Sequence, residues 1–227
     1  MNLQTARLME HEVAIPAGPA KLSGNLSVPS DPRGIVLFAH GSGSSRYSPR
    51  NLFVARQLHQ TGMATLLFDL LTAAEEVTDL RSREHRFNIS LLAGRLLDAT
   101  RWIDTQKELH ELPIGYFGAS TGSAAAIVAA AQLGQKVSAV ISRGGRPDLV
   151  DAATLARVRA PTLLILGGED DVVLQLNREA YQHLRCEKRL SVVPGASHLF
   201  EEPGTLEEVA RLASEWFRQH VSPASLA

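Results

Sequence analysis

The sequence predicts an α/β fold, a mostly parallel twisted sheet with helices on both faces and an antiparallel N-terminal hairpin. Three observations carry this. Short apolar runs such as Ile35-Val36-Leu37-Phe38-Ala39 and Ala64-Thr65-Leu66-Leu67-Phe68 are nearly continuous, as strands buried on both faces must be. From Ile35 onward these runs alternate with segments of helical period, and right-handed crossovers then require a mostly parallel sheet. Residues capable of chemistry gather just after the runs, where ligands bind in such sheets.

In order, Val13, Ile15, Leu22, Leu26 and Val28 are spaced by small or polar residues and read as two antiparallel strands about the turn Pro16-Ala17-Gly18-Pro19. After the strand Ile35–Ala39 comes the loop His40-Gly41-Ser42-Gly43-Ser44-Ser45. A helix is expected from Asn51 to Thr61, ended by Gly62. The strand Ala64–Asp69 leads into Thr72–Arg86, which is charged, lacks clear periodicity and reads as a long connection. Leu92, Leu96, Ala99 and Ile103 mark a helix over 88–107. Pro113 opens a strand running to Ala119, followed by an Ala-rich helix over 124–133. The remaining strands are expected at 137–141, 161–166 and 190–193. Helices are expected at 152–158, up to Leu184, and at 205–220, with a frayed tail at 222–227. No repeat or linker divides the chain, so a single domain over 1–227 is expected. Thr72–Arg86 and Arg143–Thr154 are the candidate lids.

The chain has 227 residues, 44% hydrophobic and 21% charged, with a formal net charge of -1. That balance gives no electrostatic reason to expect nucleic acid or a membrane surface as partner. Met1–Arg7 lacks the apolar core of a signal peptide, and no apolar run reaches membrane-spanning length. Cys186 is the single cysteine, so no intrachain disulfide can form, and a cytoplasmic protein, monomer or homodimer, is expected.

The chemistry centres on Gly118-Ala119-Ser120-Thr121-Gly122. Gly-x-Ser-x-Gly between a strand and a helix is the sequence form of a nucleophile elbow, in which the helix aims free N–H groups at the serine oxygen. A serine hydroxyl needs a base, and His198, after the last strand, is placed to supply one. An acid must orient that imidazole, and Asp170 is preferred over Asp171, with Glu169 behind them and Asp69 as the backup. The order Ser…Asp…His suits this triad on a parallel sheet. Thr121 N–H is one expected oxyanion donor and Ser42 N–H the other. His40 reads as a structural residue of the first loop. That loop lacks the Lys-Ser/Thr of a phosphate loop, and Gly-x-Gly-x-x-Gly is absent after the first parallel strand. Arg143 and Arg146 flank Gly144-Gly145 and read either as a clamp for an anionic substrate group or as loop anchors paired with Asp148 or Asp151. No His-x-x-x-His or Cys-x-x-Cys spacing suggests a metal, and no cofactor is expected.

Taken together, His40-Gly41-Ser42-Gly43, the Ser120 motif, Gly167-Gly168-Glu169-Asp170 and Gly195-Ala196-Ser197-His198 resemble the α/β-hydrolase superfamily over nearly the whole length, in its small cap-less branch similar to dienelactone hydrolases. Dienelactone hydrolases proper carry a cysteine nucleophile, whereas this elbow holds Ser120. The resemblance therefore implies a serine hydrolase cleaving small carboxylic esters through an acyl-enzyme. Lactone or amide hydrolysis by the same triad stays open, as does a non-catalytic binding or regulatory module. Ser142-Arg143-Gly144-Gly145-Arg146-Pro147-Asp148 also resembles hydrolase units that are sometimes fused to phosphoribosyltransferase domains.

Overall fold

The computed structural model describes residues 8–221, so the N-terminal seven residues and the tail expected to fray at 222–227 lie outside the described residues. Strands β1 (Met9–Ala17) and β2 (Ala20–Val28) form the antiparallel hairpin. Then come β3 (Gly34–Ala39), α1 (Pro49–Gln60), β4 (Met63–Phe68), α2 (Ala73–Ser82), α3 (Ile89–Asp104), β5 (Ile114–Ala119) and α4 (Thr121–Leu133). The chain continues through β6 (Val137–Arg143), α5 (Ala152–Arg157), β7 (Thr162–Gly167), α6 (Asp171–His183), β8 (Lys188–Val193) and α7 (Thr205–His220).

The eight strands form one sheet in the order β1-β2-β4-β3-β5-β6-β7-β8. β1 and β2 pair antiparallel, as do β2 and β4, and every pairing from β4 to β8 is parallel. The order of strands reverses about β3, which lies between β4 and β5. The carboxyl ends of β3 and β5 thus flank a topological switch point, where a crevice opens for a ligand.

Strand alternation explains the two-sided core. Ile35, Leu37 and Ala39 point to one face with the apolar stripe of α3 and the alanines of α4. Val36 and Phe38 point to the other, against α1 and α7. Small residues set the closest approaches. At Gly122 a Cβ would overlap the carbonyl oxygens of Ala39 and His40, so the start of α4 can lie against the end of β3 only without a side chain there. No helix among the described residues is long and apolar enough to cross a membrane.

Two expectations need correcting. Thr72–Arg86 is not an irregular connection, because α2 occupies most of it. Thr72 caps α2 in a reciprocal capping box with Glu75, which supplies the start signal that hydrophobic period did not. The helix buries Asp79 alone, so it shows no apolar stripe. β6 also runs two residues beyond the expected Ile141, which makes Arg143 a strand residue rather than a loop residue. The other elements depart from expectation by a few residues at their ends. Ser48 accepts a hydrogen bond from Asn51 N–H and Pro49 takes the first turn, so α1 begins before Asn51.

Candidate active site

At the end of β5 the backbone of Ser120 is forced to φ 50°, ψ −122°, outside the regions a non-glycine residue favours. The turn is braced on every side. Ser120 carbonyl oxygen accepts from Ser123 N–H at 3.1 Å, Ser123 Oγ at 2.7 Å and Arg146 N–H at 3.2 Å. Ser120 N–H donates to Arg143 carbonyl oxygen at 3.2 Å. Ser123 is a brace that the sequence reading missed. Its position one turn into a helix after Gly-x-Ser-x-Gly is the signal that could have marked it.

His198 and Asp170 come from the ends of β8 and β7. His198 Nδ1 lies 2.6 Å from Asp170 Oδ2, so the carboxylate holds the imidazole with its proton on Nδ1 and Nε2 free to accept. Asp170 is the half-in residue before α6, while Asp171 starts the helix and is exposed. The strand-end turns lie close together, since a Cβ at Gly167 would strike the carbonyl oxygens of Ala196 and Ser197. Glu202 accepts from Ser197 N–H at 3.0 Å and so steadies the histidine loop. Phe200, buried, sits in the left-handed region at φ 56° in the same loop.

A cavity of about 260 Å³ opens at this point, and Ser42, Arg50, Asn51, Ser120, Arg143 and His198 are among its walls. The Ser120 hydroxyl makes no hydrogen bond to any described residue, so its link to His198 is not closed in this structure. Such contacts are often long without substrate and tighten when it binds. Ser42 N–H, an expected oxyanion donor, instead donates to Thr121 Oγ1 at 2.9 Å. Thr121 is buried at the start of α4, with its N–H directed along the positive end of the helix.

His40 is buried between two loops. Its Nε2 accepts from Leu70 N–H at 3.0 Å and its Nδ1 donates to Gly41 carbonyl oxygen at 2.9 Å. Burial is the largest influence on it and pushes its pKa below the ordinary histidine value. Asp69 accepts from Arg46 N–H at 2.8 Å and pairs with the Arg46 guanidinium, which anchors the first loop. The two arginines after Ile141 part company. Arg143 is buried at the cavity, whereas Arg146 turns away and binds Asp148 with both ends of its guanidinium, at 2.8 and 2.7 Å. Arg146 is therefore a loop anchor and not a wall of this cavity.

Fold and site together define a class of protein, and comparison with known sequences agrees: residues 32–216 match the family model described as an alpha/beta hydrolase domain. The chain belongs to the α/β-hydrolase superfamily, in its dienelactone-hydrolase-like branch. A solved structure from Anabaena variabilis, titled dienelactone hydrolase, is 56% identical, with a TM-score of 0.92 over 94% of this chain and 99% of that one. A Mycobacterium tuberculosis protein with the provisional name phosphoribosyl transferase is 58% identical over 94% of this chain. The match takes in only 47% of that protein, so the chain spans about half the length of the curated relative. Est1E from Butyrivibrio proteoclasticus, 16% identical with a TM-score of 0.78 over 92% of this chain and 98% of that one, shares the fold.

Proposed function

We propose that the chain is a serine hydrolase cleaving small carboxylic esters through an acyl-enzyme. The observation that carries this reading is the 2.6 Å bond from His198 Nδ1 to Asp170, which leaves Nε2 as the acceptor at the cavity that Ser120 also lines. Ser120 Oγ attacks the ester carbonyl carbon as its proton passes to His198 Nε2. The carbonyl oxygen becomes an oxyanion held by Thr121 N–H and Ser42 N–H. Ser42 N–H is shared with, or released from, Thr121 Oγ1 at that moment. The C–O bond to the alcohol then breaks, and His198 returns the proton to the departing oxygen. Water, activated by the same imidazole, cleaves the acyl-enzyme and regenerates Ser120. None of these steps calls for a cofactor or metal.

Asp170 keeps the imidazole in the required tautomer and stabilises the imidazolium. The strained backbone of Ser120, worth about 1–3 kcal/mol, is a feature that clusters at active sites. The same groups can open a cyclic ester, and similarity to the Anabaena protein titled dienelactone hydrolase favours that as the second reading. The free, half-buried Cys186 fits a reducing, cytoplasmic setting.

The test is turnover of 4-nitrophenyl acetate and butyrate. Ser120→Ala should reduce it by about 10³-fold or more while the protein stays folded. Unchanged turnover, or failure of the wild-type protein to react with a fluorophosphonate probe, would overturn the reading.

A further inference from the structure

One charged side chain at the cavity has no counter-charge. Arg143 is 7% exposed, and its guanidinium has no hydrogen bond and no ion pair with any described residue. Its Nε is fully buried and unpartnered, and its Cζ lies 5.7 Å from the centre of the Phe200 ring. Burial first, and then the neighbouring cation Arg50, push its pKa down to about 10, which still leaves it charged at neutral pH. Arg50 stands in the first turn of α1 and shares a 3.0 Å ion pair with the exposed Glu201, which is not among the residues lining the cavity. No carboxylate is among the residues that line the cavity. Ser48, Arg50 and Asn51 at the start of α1 do line it, which turns the positive end of that helix toward the same space.

A buried cation without a partner is costly, and a folded chain ordinarily moves it to solvent or pairs it. Here the backbone gives it no such freedom. Arg143 carbonyl oxygen binds Ser120 N–H, Gly144 N–H donates to Ile165 carbonyl oxygen at 2.8 Å, and buried Asn177 donates to Gly145 carbonyl oxygen at 2.9 Å. A rigidly held, uncompensated charge in a cavity is what a site shows when the opposite charge arrives with the ligand.

We propose that Arg143, with Arg50 and the N-terminus of α1, forms a subsite for an oxyanionic group, carboxylate or phosphate, carried on the ester that Ser120 cleaves. The proposal rests on the serine-hydrolase reading for the cleavage and, for the anion, first on Arg143. Arg143 is paired in register with Ala119, next to Ser120, so the anionic group lies a short way from the bond that breaks. A guanidinium can bind two oxygens of such a group at once.

The test compares esters that differ only in charge: 4-nitrophenyl butyrate, mono-4-nitrophenyl succinate and 4-nitrophenyl 3-phosphonopropionate. The wild-type kcat/KM should favour the anionic esters, and the better of the two identifies the natural anion as carboxylate or phosphate. In Arg143→Met the anionic-to-neutral ratio of kcat/KM should fall by about 10- to 100-fold, the worth of a charge-assisted hydrogen bond. Arg143→Lys should recover part of it, and Arg50→Met should lose less. An unchanged ratio in both Arg143→Lys and Arg50→Met overturns the proposal even if Arg143→Met fails to fold. Calorimetric titration of Ser120→Ala protein with succinate and with inorganic phosphate separates this inference from the esterase reading. Binding there, weakened on adding Arg143→Lys, upholds the subsite even if no ester is turned over. No binding of either anion at millimolar concentration, together with an unchanged ratio, removes it.

Discussion

Ser120 holds a backbone conformation that its side chain disfavours, and three hydrogen bonds to its carbonyl oxygen keep it there. Those bonds come from Ser123 and Arg146, so the geometry of the nucleophile is set partly by residues that never meet substrate. At this scale the sequence was most legible. Gly-x-Ser-x-Gly, a strand-end aspartate and a strand-end histidine were recognisable because each stands at a fixed offset from an apolar run. Arg143 and Arg146 were not distinguishable, because both follow the same run and differ only in which side of the turn they occupy. β6 carries Arg143 into the cavity as its last residue, while Arg146 lies beyond the Gly144-Gly145 turn and meets Asp148. Asp170→Asn should lower kcat on neutral esters by about 10²–10⁴-fold, because an amide cannot enforce the Nδ1–H tautomer. Steady-state kinetics check this, and a loss below about 3-fold would point to Glu169 or Asp171 as the orienting acid.

α2 is the element that hydrophobic period could not find. It buries an aspartate and no apolar side chain, so its face toward the protein is written in charges. Asp79 accepts from His85 N–H at 2.7 Å, Arg86 N–H at 3.0 Å and Arg86 Nε at 2.5 Å. Glu75 reaches Arg95 of α3 at 2.6 Å, and Arg95 in turn donates to Ala17 carbonyl oxygen at 3.0 Å. Burial pushes the Asp79 carboxyl up, but the hydrogen bonds and charge of Arg86, with His85 N–H, outweigh it and hold the pKa below the ordinary value. A depressed carboxylate stabilises the fold above its unfolded pKa, and the benefit is lost as pH falls through the folded one. Asp79→Asn should therefore melt at a lower temperature than wild type at neutral pH, and the gap should close below about pH 4. Melting curves across pH test this, and a gap independent of pH would mean that the ion pair adds nothing to stability. The Thr72–Glu75 capping box was the readable trace of this helix.

For the molecule as a whole, the sheet divides the core into two, with α1 and α7 covering the face away from α3 and α4. Phe217 of α7 is fully buried in the former cluster and packs over Gly115 of β5, where any side chain would overlap its ring. Phe217→Ala should cost about 3–5 kcal/mol, or roughly 6–20 °C in Tm for a chain of this size, with the catalytic rate of the folded fraction unchanged. Chemical denaturation and kinetics below the transition would show it, and a fall in kcat at constant folded fraction would tie this face to the site. The alternation that builds both cores was legible from the sequence, since β3, β4 and β7 are nearly continuous apolar runs, interrupted only by Thr65 and begun in β7 by Thr162. The order in which the strands lie was not, because it depends on long-range pairing. The hydrogen bonds joining Ser120 to the turn at residues 143–146 have a practical meaning for redesign. A loop that lends only side chains can be swapped like a tool head. This one also supplies an amide and a carbonyl that brace the nucleophile, so grafts here should damage rate and selectivity together. α2 lends no atom to that brace but is tied to α3 through Glu75 and Arg95 and to residues 85–86 through Asp79, so tolerated changes should accumulate on its exposed positions rather than by exchange of the whole helix.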